Sequence, residues 1–209
     1  MFGTNERLGV ERGGGETLLV REAFYTIQGE GPKAGWPAVF VRLAGCNLAC
    51  SFCDTDFEVS KSGRQTVEEL VRAVRDLADG RTRLVVLTGG EPLRQPVAKL
   101  LDALVTNDFV VQIETSGSVY KDWAPHYRRD RVEVVVSPKT PKLAPGMNAV
   151  AHAWKYIVEH DSQFTDRGVP YSKCQGASEP KPLAEPPLQV QACDVFLQPC
   201  DHLDETLNA

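Results

Sequence analysis

Six short apolar runs, at residues 38–43, 84–87, 109–113, 132–136, 154–158 and 195–197, constrain the fold more than any other feature of this chain. They are valine-rich and nearly continuous, the pattern of strands buried on both faces in a parallel sheet. Parallel strands need crossover connections, and amphipathic stretches stand between the runs. Thr66, Val67, Glu68 and Glu69 form a capping-box signature, after which Val67, Leu70, Val71, Val74 and Leu77 recur at helical spacing. Pro96 suits the start of the next helix, with Val97, Leu100, Leu101 and Leu104 as its apolar stripe. This alternation predicts an α/β protein. Six main runs, where a complete barrel has eight strands, predict a partial (β/α)6-type barrel.

With 209 residues, 42% of them apolar and 24% charged, the chain is expected to fold as a single domain. Residues 1–16 hold three successive glycines and little apolar periodicity, so they are expected to be a flexible N-terminal extension, leaving 17–209 as the core domain. Residues 161–193 carry Pro170, Pro180, Pro182, Pro186 and Pro187 and are expected to form a Pro-rich loop or insertion. A net charge of −5 argues against broad binding to nucleic acid, which needs a basic surface. No apolar run approaches the roughly 20 residues of a membrane-spanning helix, and the N-terminus lacks an apolar signal core. The expected location is cytoplasmic.

Cys46, Cys50 and Cys53 form a C-x3-C-x2-C triplet just after the run 38–43, whereas Cys174, Cys193 and Cys200 lie far downstream. Three thiolates on one short loop can converge on a metal centre. A structural zinc normally takes four protein ligands, and no fourth lies nearby in sequence. Three thiolates would leave one iron of a [4Fe–4S] cubane open to a small molecule. The alternative is a zinc site completed by the distant Cys200 or His202. The remaining histidines give no ligand pattern, and Trp36, Trp123 and Trp154 read as packing residues.

The triplet, with Phe52 before its last cysteine, is followed by Thr88-Gly89-Gly90-Glu91-Pro92 after the run 84–87, then by Glu114-Thr115-Ser116-Gly117 and Ser137-Pro138-Lys139 after the next two runs. On these motifs the chain resembles the radical S-adenosylmethionine (SAM) enzymes. The resemblance implies that SAM binds the open iron and is cleaved to methionine and a 5′-deoxyadenosyl radical, the cofactors carrying the hard chemistry. Glycines would let backbone approach SAM, and Glu91 would accept from its amino group.

A narrower resemblance rests on Phe24-Tyr-Thr-Ile-Gln-Gly-Glu-Gly31, Ala38-Val-Phe-Val-Arg-Leu-Ala-Gly45, Cys53-Asp-Thr-Asp56 and Leu197-Gln-Pro199, together with the motifs above and in the same order. In these the chain is similar to the 7-carboxy-7-deazaguanine synthase family, from about residue 19 to 160 and again near 194. That resemblance implies a carbon–nitrogen lyase of queuosine and 7-deazapurine biosynthesis. It would turn 6-carboxy-5,6,7,8-tetrahydropterin into 7-carboxy-7-deazaguanine and ammonia, with Mg²⁺ as helper. It also implies a homodimer, an electron donor such as flavodoxin or ferredoxin, and no direct contact with nucleic acid or membrane.

Residue by residue, the same resemblance implies that Cys46, Cys50 and Cys53 ligate the cluster and Thr55 binds Mg²⁺. Phe52, Cys53, Asp54, Gly90, Glu91, Ser137, Pro138, Lys139, Gln198, Pro199, Cys200 and Asp201 would surround SAM. Ile27, Gln28, Gly29, Arg42 and Thr88 would contact the pterin, and no acid–base residue is assigned. The residue types suit these tasks. Arg42 offers a cationic fork to a carboxylate, Gln28 can read a donor–acceptor edge, and a hydroxyl is a proper ligand for a hard cation.

The chain departs from that family in the length of 161–193, and in stopping at 204–209 where a helix begins, so this end is expected to be a fragment boundary. Two further readings stand beside this one. An activating enzyme that makes a glycyl radical on a partner protein shares the triplet and the Gly-Gly-Glu-Pro turn. A zinc-binding module without enzymatic activity shares only the cysteines.

Overall fold

A computed structural model describes residues 6–122, 126–172, 178–187 and 194–200. Its strands are β1 (Thr17–Ile27), β2 (Pro37–Leu43), β3 (Gly63–Thr66), β4 (Leu84–Gly89), β5 (Val110–Thr115), β6 (Val132–Val136), β7 (Ala153–Val158), β8 (Tyr171–Ser172), β9 (Lys181–Pro182) and β10 (Asp194–Pro199). Its helices are α1 (Val67–Ala78), α2 (Ala98–Thr106) and the short α3 (Met147–Val150).

Eight strands make one sheet in the order β10-β7-β6-β5-β4-β2-β1-β3. The six from β10 to β2 are parallel, with registers such as Val39 to Val85, Val111 to Val132 and Leu197 to Tyr156, and they coincide with the six apolar runs. The consecutive parallel order is that of a partial α/β barrel. β1 is an antiparallel addition on β2 and β3. Unlike the parallel strands, β1 mixes buried Leu18 and Val20 with exposed or half-buried polar residues, so it carries no continuous apolar run.

Alternation sends strand residues to opposite faces. On the outer face, Val39, Val41, Leu87, Ile113, Trp154 and Tyr156 join Leu70 and Val74 of α1 and Leu100, Leu101 and Leu104 of α2 in one buried cluster. On the inner face, Ala38, Phe40, Leu84 and Val86 form a second, small apolar cluster. Farther along the sheet the inner positions become polar although still buried: Gln112, Glu133 and Lys155.

The capping box of α1 forms: Glu69 N donates to Thr66 Oγ1 at 3.1 Å, and Thr66 N donates to Glu69 Oε2 at 2.8 Å. Such a cap stabilises by about 1 kcal/mol. α2 begins at Ala98, two residues beyond Pro96. Among the described residues no helix is long and apolar enough to cross a membrane.

The stretch 6–16 differs from its expected flexibility. Leu8 N donates to Cys46 O at 2.7 Å, Glu11 N to Arg94 O at 2.8 Å, and Val67 N to Glu16 O at 3.1 Å. These main-chain bonds, with Arg64 on Glu11, Arg94 on Gly9 O and Lys99 on Glu16, hold it without any apolar periodicity of its own. Residues 1–5 lie outside the described residues.

The described parts of 161–193 turn through the β8–β9 ribbon and pack back on the core. Val169, Leu183 and Ala184 are buried there, and Tyr156 Oη donates to Ala184 O at 2.7 Å. Trp123, Cys174 and Cys193 are outside the described residues.

Candidate active site

The strands of the parallel sheet converge at their C-terminal ends on a cavity of about 570 Å³. Polar residues at successive strand ends are what a barrel presents at its active face. Here they are Arg42 near the end of β2, Thr88 and Gly89 at the end of β4, Glu114 and Thr115 at the end of β5, Ser137 after β6, and Gln198 on β10.

The loop after β2 carries the cysteines. Gly45 takes a left-handed turn at φ 79, and its N–H donates to Phe57 O at 2.9 Å, which folds residues 46–56 into a closed loop. Cys53 N donates to Cys50 O at 3.2 Å, tightening its far end. The thiols of Cys46, Cys50 and Cys53 all line the cavity. Among the described residues no three of His, Cys, Asp and Glu converge as ligands of a single ion. A cubane takes one thiolate per iron. Three thiols from one loop on the wall of one cavity are the donor set of a cluster with one open iron. Burial pushes the Cys46 thiol up to about 12 and raises that of Cys53; bound metal would supply the positive charge that favours the thiolate.

Gly89 and Gly90 have a packing reason. A Cβ on Gly89 would lie 2.0 Å from Leu43 O, and one on Gly90 would lie 2.2 Å from Gly45 O. Gly90 N donates to Leu43 O and Glu91 N to Gly45 O, both at 3.1 Å, so the end of β4 lies flush against the root of the cysteine loop.

Glu91 corrects an expectation. It is fully buried and absent from the cavity wall. Its Oε1 accepts from Leu93 N at 3.0 Å and Thr115 Oγ1 at 2.7 Å, and its Oε2 from Ser116 N at 2.9 Å and Ser116 Oγ at 2.6 Å. Burial pushes its carboxyl up against those four donors. With its acceptor positions taken, Glu91 clasps the ends of β4 and β5 together and is not turned toward a ligand's amino group.

Of the other residues expected around SAM, Phe52, Cys53, Asp54, Gly90, Ser137, Lys139, Gln198, Pro199 and Cys200 line the cavity. Pro138 does not line it, because the wall at this strand end is formed by its neighbours Ser137 and Lys139; Lys139 Nζ donates to Ser137 O at 3.0 Å. Asp201 and His202 lie outside the described residues. Thr55 lines the cavity, its Oγ1 donating to Asp54 Oδ1 at 2.9 Å.

Ile27, Gln28, Gly29, Arg42 and Thr88 also line it. The Arg42 guanidinium lies over the Phe24 ring at 5.4 Å, with Nε 3.5 Å from Glu22 Oε1. Gln28 is buried; its Nε2 donates to Glu114 Oε1 at 3.0 Å, and its Oε1 accepts from Glu30 N at 3.2 Å.

Glu114, Glu30 and Lys155 line the same wall and were not among the expected site residues. Lys155 Nζ bonds both carboxylates, and Gln112 Nε2 donates to Glu114 Oε1 at 2.6 Å. Burial alone would lower the Lys155 ammonium, but the charges and hydrogen bonds of Glu114 and Glu30 outweigh it and hold it above the ordinary lysine value. One signal was available: a lysine inside the apolar run 154–158 is rare unless it is paired.

The model of the radical SAM superfamily matches residues 40–159, a span that holds the cysteine loop and five of the six parallel strands. The 7-carboxy-7-deazaguanine synthase of Rhodospirillum rubrum is 41% identical over 203 residues, covering 96% of this chain and 83% of the relative. The enzyme of that name from Rickettsia prowazekii is 44% identical over 147 residues, covering 68% and 60%. The crystal structure of QueE from Escherichia coli superposes with a TM-score of 0.60 at 31% identity, covering 69% of this chain and 72% of that one. These likenesses join the thiol loop and the partial barrel in one assignment: the chain belongs to the 7-carboxy-7-deazaguanine synthase family of radical SAM enzymes, which hold a [4Fe–4S] cluster and SAM.

Proposed function

We propose that this chain converts 6-carboxy-5,6,7,8-tetrahydropterin to 7-carboxy-7-deazaguanine and ammonia. The observation that carries the reading is a single cavity whose wall holds the three cluster thiols together with Arg42, Gln28 and Glu114. When bound, the cluster and SAM supply the 5′-deoxyadenosyl radical, and the chain's own residues bind, orient and shield. Cys46, Cys50 and Cys53 ligate the cluster, while Phe52, Asp54, Gly90, Ser137, Lys139, Gln198, Pro199 and Cys200 surround SAM. Arg42, its guanidinium backed by the Phe24 ring, takes the substrate carboxylate as a fork takes an anion. Glu114, fixed by Gln112 and Lys155, accepts from the donor edge of the pterin's aminopyrimidinone ring, beside Gln28, Gly29 and Thr88. Ile27 covers the ring from the β1 side.

The Thr55 hydroxyl, next to the Asp54 carboxylate, gives oxygen ligands suited to Mg²⁺, the rest of its shell coming from substrate and water. A homodimer in the cytoplasm, reduced by flavodoxin or ferredoxin, completes the proposal, with 17–209 as its catalytic domain. Anaerobic incubation of reconstituted protein with SAM, dithionite, Mg²⁺ and the carboxytetrahydropterin tests it by product mass. The expected product is the substrate less ammonia. SAM cleavage without that product, in protein with a full cluster, overturns the reading in favour of an activating enzyme acting on a partner protein.

A further inference from the structure

The stretch 7–11 reaches the cluster loop at its most buried ligand. Arg7 and Cys46 form a parallel β-bridge, and Leu8 N donates to Cys46 O at 2.7 Å. The Leu8 side chain closes over Gly45, where a Cβ would lie 2.8 Å from Leu8 Cδ1 and 2.9 Å from Arg94 Nη2. Arg94 is buried and has no part in the proposed chemistry. Its Nη1 donates to Gly9 O at 3.1 Å and its Nη2 to Ala44 O at 3.2 Å. Its own carbonyl accepts from Glu11 N, and Glu11 Oε2 stands 3.6 Å from Nη2. A single guanidinium thus bonds the N-terminal segment on one side and the root of the cysteine loop on the other. A fixed fork of donors suits that task better than a flexible ammonium.

We propose that residues 7–11 are a strap, locked by Arg94, that positions the Cys46 end of the cluster loop and so governs retention and electronic environment of the cluster. Hydrogen bonds and charges near the cysteine ligands tune a cluster's properties, and the strap places Leu8 N–H and the Arg94 cation within one residue or two of Cys46. The inference rests on the cluster and is independent of the substrate, so it survives failure of the pterin reading.

The test uses reconstituted, cluster-loaded protein with Leu8→Pro, Leu8→Ala, Arg94→Met and Arg94→Lys. Leu8→Pro removes the donor to Cys46 O together with the Leu8 side chain, whereas Leu8→Ala removes the side chain and keeps the donor, so the difference between the two isolates the hydrogen bond. Three quantities are read: the anaerobic rate of iron release to a chelator, the EPR signal of the reduced cluster, and the melting temperature of the iron-free protein. Leu8→Pro and Arg94→Met should release iron faster by on the order of tenfold, with an altered EPR line shape. Leu8→Ala should stay near the parent, and Arg94→Lys should fall between. Unchanged iron release and EPR in Leu8→Pro overturns the proposal, as does an effect of Leu8→Ala as large as that of Leu8→Pro. If Arg94→Met fails to fold, the Leu8 pair decides alone. A lowered melting temperature with an unaltered cluster would make the strap a stability element only, which also overturns the proposal.

Discussion

Lys155→Met removes the one cation between two carboxylates on the cavity wall. The Lys155 side chain is 5% exposed, Glu114 12% and Glu30 36%. Breaking a buried ion pair by deleting one partner costs about 3–5 kcal/mol, because the other charge is left uncompensated. Glu30 is exposed enough to recover water, and Glu114 keeps its donors Gln28 and Gln112 at 3.0 and 2.6 Å. The lower end, about 3 kcal/mol, is therefore expected. For a chain of this size that lowers the melting temperature by about 6–12 °C. Equilibrium unfolding of the iron-free protein avoids cofactor loss during the transition. The cycle with Glu114→Gln isolates the pair. Once Glu114 is neutral, Lys155→Met strands less charge, so the double variant should be more stable than the sum of the singles by about 1–3 kcal/mol. The pH dependence gives a second check. The lysine is held above its ordinary value in the folded state, so its contribution is complete below the unfolded lysine pKa of about 10.4 and is lost only as pH rises through the folded value. The gap between parent and variant should stay constant through neutral pH. Additivity within about 0.5 kcal/mol, or a gap that closes near neutrality, would refute this reasoning.

Replacing Cys46, Cys50 or Cys53 by Ala should leave no complete cluster after reconstitution, measured as iron and sulfide per chain, whereas Cys174→Ala and Cys193→Ala should keep about four of each. Gly90→Ala pushes a Cβ to 2.2 Å from Gly45 O, so the loop root must move. A loss of roughly 1–3 kcal/mol in stability, together with reduced iron incorporation, is expected. Arg42→Ala should cut kcat/KM for the carboxypterin by roughly 30-fold, about 2 kcal/mol, with Arg42→Lys recovering part of it; SAM affinity, read separately, should hold.

The parallel strands are legible because burial on both faces leaves nothing but apolar residues at positions such as Val85, Val86, Val134 and Val135. The start of α1 is legible because a capping box is local, three residues from donor to acceptor. β1 escapes for the opposite reason: at the antiparallel side of the sheet its face alternates, and its identity as a strand lies in pairing with β2 and β3. The docking of 6–16 escapes because main-chain hydrogen bonds and the distant side chains of Arg64, Arg94 and Lys99 hold it, and none of these writes a pattern into the segment's own residues.

The same division runs through the cavity, and it explains why one wall is readable and the other is not. The cluster wall is built from neighbours in sequence. Three cysteines within eight residues and a glycine pair at a strand end announce their chemistry, since a Cβ at Gly89 or Gly90 would collide with the backbone that carries Cys46. The opposite wall is assembled from residues 28, 30, 114 and 155, which meet because the segment after β1 crosses the sheet to pack against β7. Even Glu91, inside the most recognisable motif, is explained by packing: four donors from β5 and its own turn occupy it, so the motif's acid fixes geometry. The two walls also use different physics. Close backbone contacts at Gly89 and Gly90, with Arg94 on Ala44 O and Asn47 on Ser118, hold the cluster loop in one conformation, as a centre ligated at three points requires. Buried charges hold the other wall, where a polar ligand must be matched donor to acceptor and a stranded partner costs far more than a lost contact. A substitution on the first wall should therefore be read in iron retention, and one on the second in substrate discrimination.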